Sequence, residues 1–227
     1  YVAFLEGDDW WSDPYKLRRQ LALLNGDPSL SFCGGRTRVL DHRECAAHNA
    51  ELASIGPPSG KQRLSLPELI DGYSFHFSSV MMRRQAVHLP AWVEQQYCLD
   101  RPLYLLAAQH GDAGVIDEEL SVYRQHGAGV WAPLSPLEKA RRSNALFRAF
   151  QRHFPPYLHS RFCRSLSHIH WAYLASSLQQ GKSLQSLWIV LMGITASPTL
   201  RLLEHPRLTA AALMRALLAS PLKLLDR

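Results

Sequence analysis

The chain has no apolar run long enough to cross a bilayer. Its best candidate, Leu187-Trp-Ile-Val-Leu-Met-Gly-Ile194, falls far short of the roughly twenty residues a spanning helix needs. It reads instead as part of a buried helix. Cysteine is scarce and shows no paired spacing: Cys33, Cys45, Cys98 and Cys163 are scattered. That argues against a disulfide scaffold and for a reducing compartment. There is no internal repeat and no low-complexity tract, which removes solenoids and disordered linkers from consideration. There is no initiator Met and no secretory leader, and Tyr1 already lies in an apolar run. The sequence therefore reads as the later part of a longer protein. Acid is nearly missing from one half. Residues 137–227 hold 13 Lys+Arg against 3 Asp+Glu, net +10, whereas residues 1–136 hold 12 against 16, net −4. No nucleic-acid-binding motif accompanies the positive charge, and the acidic half would repel phosphate, so no nucleic-acid partner is expected. With 227 residues, 47% of them hydrophobic, the chain can bury a real core in one or two domains.

What is present is concentrated in the first fourteen residues, Tyr1-Val-Ala-Phe-Leu-Glu-Gly-Asp-Asp-Trp-Trp-Ser-Asp-Pro14. An apolar run suited to a strand buried on both faces leads straight into Glu6, Asp8 and Asp9. Carboxylates at the end of such a strand sit where open α/β sheets bind ligands. Crowded carboxylates repel unless a proton or a cation relieves them. Hard divalent cations held by one or two carboxylates plus phosphate oxygens are common in phosphate-using enzymes.

Further along, Asp13 as N-cap and Pro14 at the first helical position predict a helix over 14–25, with Leu17, Leu21 and Leu24 facing inward. Asn25-Gly26-Asp27-Pro28 stops it. Short strands are expected at 29–32 and 37–40, around Gly34-Gly35. Residues 41–63 read as an irregular loop. A short helix follows at 66–71, a strand-like stretch at 75–83 and an amphipathic helix at 101–110. Short strands are expected at 114–116 and 121–123, then a flexible turn at Gly127-Ala-Gly129. From Pro136 on, the pattern is helical: 136–153, 157–180, 183–195, 199–205 and 207–219. The boundary between the two regions falls near residue 133, giving domains 1–133 and 134–227.

Several pieces, in order, resemble a family-2 glycosyltransferase of the GT-A type. They are Phe4-Leu-Glu-Gly-Asp-Asp-Trp-Trp-Ser-Asp-Pro-Tyr-Lys-Leu-Arg-Arg-Gln20, Ser78-Ser-Val-Met-Met-Arg-Arg84, Asp100-Arg-Pro-Leu-Tyr-Leu-Leu-Ala-Ala-Gln-His-Gly111, Ile116-Asp-Glu-Glu-Leu-Ser-Val-Tyr-Arg-Gln-His126 and Gly127-Ala-Gly-Val-Trp131. The resemblance covers about residues 1–135. It implies an α/β fold: the second half of a GT-A-type nucleotide-diphospho-sugar transferase domain, with an all-α extension after it. Members of that family carry a preceding nucleotide-binding half, which this sequence does not include.

The resemblance also implies roles. Asp8 and Asp9 match the acidic metal motif that holds Mg²⁺ or Mn²⁺ against a donor pyrophosphate. Glu6 stands where the family often has Asp, on the donor side. Asp100 matches the catalytic base that deprotonates the acceptor hydroxyl for inverting attack. Arg101 replaces a frequent Trp, so the acceptor-side wall differs; Trp10 and Trp11 are further candidates for that side. His126 matches a position that completes the metal shell or touches the diphosphate, and Arg124 assists electrostatically. The implied partners are a nucleotide-diphosphate sugar donor and a glycan or lipid-linked acceptor in surface polysaccharide synthesis. The implied location is the cytoplasm, peripheral to the inner face of the membrane, where the basic half meets an anionic surface.

Plainer readings stand beside these. Asp8-Asp9 before a helix also suits a cap and turn, Asp100 an N-cap, and Trp10 and Trp11 simple packing. His42, Cys45 and His48 have a metal-like spacing but no fourth ligand. His168 and His170 lie two apart on a predicted helix and face different ways. For the whole chain the rival is a degenerate, non-catalytic module that binds membrane or protein.

Overall fold

In the computed structural model the described residues are 1–41, 50–72, 75–126, 129–131 and 133–196. His42, Cys45, His48, Gly127, Ala128 and the helices expected at 199–205 and 207–219 lie outside them. The chain divides into two compact units, Tyr1–Pro133 and Leu134–Arg227.

The first unit is mixed α/β, built on one curled sheet. Its strands are β1 (Val2–Ala3), β2 (Trp10–Trp11), β3 (Leu30–Asp41), β4 (Ala50–Ile55), β5 (Arg63–Leu64), β6 (Met81–Met82) and β7 (Asp112–Gln125). The order is β1-β6-β3-β7-β2, with β4 added to β3 and β5 added to β7. Two long strands form the spine: β3 and β7 run parallel from Leu30↔Asp112 to Asp41↔Gln125. Each was expected as two short strands. They are continuous because their glycines serve close packing instead of ending the strand. A Cβ on Gly34 would lie 2.5 Å from the Phe75 ring, and one on Gly35 would lie 2.5 Å from Leu120. Register shifts near Leu30/Phe32 and around Arg36 bend and twist the pair, as bulges do. Part of the stretch expected to be irregular supplies β4 and β5. β1 differs from expectation in the other direction: it is a two-residue, half-buried strand at the sheet margin, paired to β6.

The core between sheet and helices is led by Phe32, fully buried. Its ring stacks on Tyr104 at 5.6 Å and meets Phe75 edge-on at 6.1 Å. Burying a ring of that size contributes about 1.5–3 kcal/mol. Tyr104 belongs to α4 (Asp100–Ala107), whose buried face is Pro102, Leu103, Tyr104, Leu105 and Ala107. α2 (Leu66–Asp71) opens with a capping box between Ser65 and Glu68. A short α3 (Ala91–Glu94) precedes α4.

α1 spans Lys16–Gly26, not 14–25, and buries a different face from the one predicted. Lys16, Gln20 and Leu24 point inward, while Leu17 and Leu21 are exposed. Polar partners set that rotation. Gln20 Nε2 donates to the Ser79 carbonyl at 2.8 Å, and Lys16 Nζ donates to Gln20 Oε1 at 2.8 Å while lying 4.5 Å from the Trp11 ring centre. Asp13 does not cap α1 as an N-cap; its carboxylate accepts from the Tyr15 amide at 2.8 Å in the preceding turn.

The second unit holds α5 (Pro136–His153), α6 (His159–Gln179) and α7 (Ser183–Ala196). Ser135 caps α5 by accepting from the Glu138 amide, and Pro136 sits at the first helical position, where its missing donor costs nothing. Gly181, at φ +68, turns the chain between α6 and α7. The α5–α6 contact is aromatic: Phe147, Phe150, Phe154 and Phe162 pack ring against ring, with Phe150 and Phe162 stacked at 5.2 Å. A second cluster joins Ala140, Leu174, Leu178, Ile189 and Val190. His170 is buried and His168 exposed, so the two do face apart. Among the described residues no helix is long and apolar enough to cross a membrane.

Candidate functional site

Register builds the site. β2 pairs antiparallel with β7, Trp10 opposite Val122 and Trp11 opposite Ser121. Continued outward, that register sets the residues before Trp10 alongside those after Val122. Asp8 and Asp9 thus meet Arg124 and His126 although the two segments are more than a hundred residues apart in sequence. The Arg124 amide donates to Asp9 Oδ1 at 3.1 Å. The Arg124 guanidinium donates through Nε to the Asp8 carbonyl at 3.1 Å. His126 Nε2 bonds Asp8 Oδ2 at 2.8 Å, and this bond holds the Asp8 carboxyl below its usual range.

The third wall is the 3-10 turn Phe77–Ser79 and the residue before it, His76. Ser78 ties this wall to the acidic segment three times. Its hydroxyl donates to Asp9 Oδ2 at 2.5 Å and accepts from the Glu6 amide at 3.2 Å. Its carbonyl accepts from Trp11 Nε1 at 2.9 Å. The Phe77 ring stacks on Phe4 at 4.4 Å. Asp9 therefore has a fully buried side chain, with each oxygen held by a donor.

His76 lies between the acids. Its Nε2 is 3.4 Å from Glu6 Oε2 and its Nδ1 is 3.5 Å from Asp9 Oδ2. Its ring stacks on Tyr123 at 4.4 Å. Burial lowers its pKa, opposed by the charges of Asp9, Asp100 and Asp8. Glu6, Asp9 and His76 can each offer one donor atom such that all three lie within 4.8 Å of one another. The Glu6 carboxyl is pushed up to about 7, first by burial, then by Asp9, Asp100 and Asp8.

Asp100 is the first residue of α4 and lines a cavity of about 150 Å³ with Leu69, Gly72, Phe75, Arg101, Tyr104 and Leu105. Its charge reaches both Glu6 and His76. The Tyr104 hydroxyl beneath it is buried without a hydrogen-bond partner, and burial plus Asp100 and Glu6 hold its proton on well beyond the usual range.

Sequence reasoning thus named Glu6, Asp8, Asp9, Arg124 and His126, and the fold assembles them. Arg101 lines the Asp100 cavity, and its Nη2 donates to the Ile70 carbonyl at 3.1 Å, bracing α2. Trp11 packs under Lys16 and bonds Ser78; Trp10 is exposed. His76, Ser78, Tyr123 and Tyr104 were missed as site residues. Ser78 lay inside the quoted Ser78–Arg84 stretch; His76, two residues before it, gave no spacing signal of its own.

No protein-family profile matches the chain. Uncharacterized proteins of Mycobacterium bovis and of two strains of Mycobacterium tuberculosis are each 33% identical to it over 133 residues, 58% of this chain and 36% of the relative. The chain thus spans little more than a third of the length of the curated relatives it matches.

Proposed function

We propose that the chain carries the acidic, acceptor-side part of a metal-assisted, inverting sugar transferase that uses a nucleotide-diphosphate sugar. The observation that carries this reading is a cluster of carboxylates, Glu6, Asp8 and Asp9, gathered around the His76 imidazole, with Asp100 near enough to act on Glu6 and His76. Burial first, and then the charges of Asp9, Asp100 and Asp8, push the Glu6 carboxyl up to about 7. Perturbed carboxyls clustered in a cleft mark functional sites more often than structural ones. The Glu6–Asp9–His76 donor set, two oxygens and an imidazole, suits a divalent cation. The GT-A-type resemblance of the same segments supplies the reaction class.

When bound, Mn²⁺ or Mg²⁺ offsets the charge that develops on a departing diphosphate. The chain's own residues do the rest. Ser78 and the Arg124 amide fix the Asp9 carboxylate. The Arg124 guanidinium adds positive charge beside Asp8. Asp100, at the mouth of its cavity, accepts the proton of the attacking acceptor hydroxyl. The Tyr104 hydroxyl stays protonated beneath it. Arg101, held on the Ile70 carbonyl, shapes the acceptor side.

Donor turnover by the whole protein tests this. Activity should require Mn²⁺ or Mg²⁺ and vanish in chelator. Asp100→Asn should lower turnover by about 10²–10⁴-fold, the usual worth of a general base, and leave donor affinity within a small factor. Undiminished turnover in chelator, or in Asp100→Asn, overturns it.

A second reading concerns the helical unit. Its charge, net +10 over residues 137–227, favours an anionic membrane face, at up to about 1 kcal/mol per well-placed cation. That would set the enzyme beside a lipid-linked acceptor at the cytoplasmic surface. Vesicle co-sedimentation checks it: binding should need anionic lipid, fall with salt and drop when residues 208–227 are removed.

A further inference from the structure

We infer that the outer face of α7 docks on an anionic lipid bilayer, with Leu184, Trp188 and Leu191 entering the headgroup layer and the helix lying along the surface. This rests on the membrane reading of the helical unit above and names the side chains that make the contact.

α7 is apolar on both sides. Its inner face, which includes Ile189, Val190 and Gly193, is buried. Leu184, Trp188 and Leu191, at i, i+4 and i+7, fall along one line of the helix. They are 70%, 57% and 42% exposed. Half-buried Leu187 and Met192 flank that line. No charged residue occurs between Lys182 and Arg201. A helix that is apolar all round belongs in a core or against lipid, and a contiguous apolar stripe left in water marks an interaction site.

α5 shows how the same unit builds a face meant for water. Opposite its buried phenylalanines it exposes Arg141, Arg148 and Arg152, at i, i+7 and i+11. Charge is thus placed on the outside of α5 and withheld from the outside of α7.

The charge also selects the occupant. The one carboxylate in residues 137–196 is Glu138, and Arg142 already holds it at 3.0 Å. Within the described part of the unit no carboxylate is left for Arg141, Arg148 and Arg152. A second copy brings the same positive excess and is repelled. A nucleic acid would answer the arginines and leave the leucines in water. An anionic bilayer answers both. Its charge attracts the unit through the field that the arginines raise around it, and its acyl boundary takes the leucines. Trp188 suits the headgroup level, where the ring is buried and the indole N–H stays wet.

Length sets the orientation. The 14 residues of α7 make about 21 Å of helix, short of the roughly 30 Å hydrocarbon core. α7 therefore lies in the plane of the interface and does not cross it.

The experiment is co-sedimentation of the chain with phosphatidylcholine vesicles, with and without phosphatidylglycerol, paired with quenching of tryptophan fluorescence by brominated acyl chains. Wild type should bind the vesicles that contain phosphatidylglycerol and be quenched on them. Trp188→Phe keeps an apolar ring, so it should bind within about threefold of wild type and lose most of the quenching. Exchanging Leu184, Trp188 and Leu191 together for Gln should weaken binding about 10–100-fold, the scale of withdrawing apolar side chains from lipid. Its thermal melt should match wild type, because these side chains are exposed in the fold. Arg141→Gln, Arg148→Gln and Arg152→Gln should each weaken binding by up to about fivefold. Quenching that persists in Trp188→Phe, or binding that persists in the triple Gln variant, overturns the inference and leaves the wider membrane reading standing. Equal binding to pure phosphatidylcholine overturns the choice of an anionic surface. No vesicle binding by wild type overturns both readings; a dimer that the triple Gln variant dissociates would then assign the stripe to a second copy.

Discussion

The two units use charge in opposite ways. In the first, polar groups are buried and made to work against one another. Asp9 is sealed between Ser78 and the Arg124 amide, Lys16 lies over the Trp11 ring with its amine brought down to about 8 by burial, and Glu6 is pushed up to about 7. In the second, the described interior is dominated by rings and aliphatic side chains: the Phe147, Phe150, Phe154 and Phe162 cluster and the Ala140, Leu174, Leu178, Ile189 and Val190 cluster. Both units pack an apolar core, but the ionisable groups that burial perturbs lie in the sheet unit. Stability and chemistry are therefore expected to separate by unit when either is perturbed.

The largest expected effect tests the packing half of that contrast. Phe150 is fully buried among Phe147, Phe154 and Phe162. Phe150→Ala should destabilise the helical unit by about 3–5 kcal/mol, while Mn²⁺ affinity at the first unit stays put. Thermal unfolding followed by circular dichroism, paired with a Mn²⁺ titration, reads both. Loss of Mn²⁺ binding in a chain that remains folded would break the separation.

Next comes the seam of the sheet unit. A Cβ at Gly34 would press on the Phe75 ring at 2.5 Å, and Phe75 carries His76. Gly34→Ala should cost about 1–3 kcal/mol, the usual price of overpacking, and should weaken Mn²⁺ binding as well, because the wall that holds His76 must shift. Unchanged stability would show that the ring moves aside freely.

The smallest effect sharpens the electrostatic half. Glu6 has a folded-state pKa of about 7 against an ordinary value of 4.5. A raised value means that the folded chain holds this proton more tightly than the unfolded chain does. Its contribution is complete below pH 4.5 and is lost as pH rises through 7. Glu6→Gln removes the charge and keeps the shape. Without metal it should therefore be more stable than the parent at pH 8 and equal to it at pH 4. The side chain is about half exposed, so screening limits the gain to a few tenths of a kcal/mol. Denaturant melts at the two pH values check the sign; an equal shift at both would remove charge as the cause.

Local signals were the legible ones. α5 could be read to its ends, 136–153, because Pro136 opens it and an apolar period runs through it. The acidic segment was legible because Glu6, Asp8 and Asp9 are adjacent in sequence. Signals that depend on distant partners were not. The face of α1 was misread because Leu17 and Leu21 outweigh Lys16 and Gln20 on any hydropathy scale, yet Gln20 has the Ser79 carbonyl to meet. Gly34 and Gly35 looked like a break because glycine marks turns more often than close approach. His76 was invisible as a site residue because its partners, Glu6 and Asp9, lie some seventy positions earlier.

The parallel pairing of β3 with β7 also sets an order of events. Closing a chain over such a span costs entropy before any contact repays it, so this pairing is expected to form late, after the local helices. The amide of Arg124 bonds a carboxylate 115 residues away and cannot do so until β7 has zipped against its neighbours. Its hydrogen-exchange protection is therefore a clock for the site: slow exchange at this one amide reports that the last strand has arrived, and the cleft exists as a cleft only from that moment.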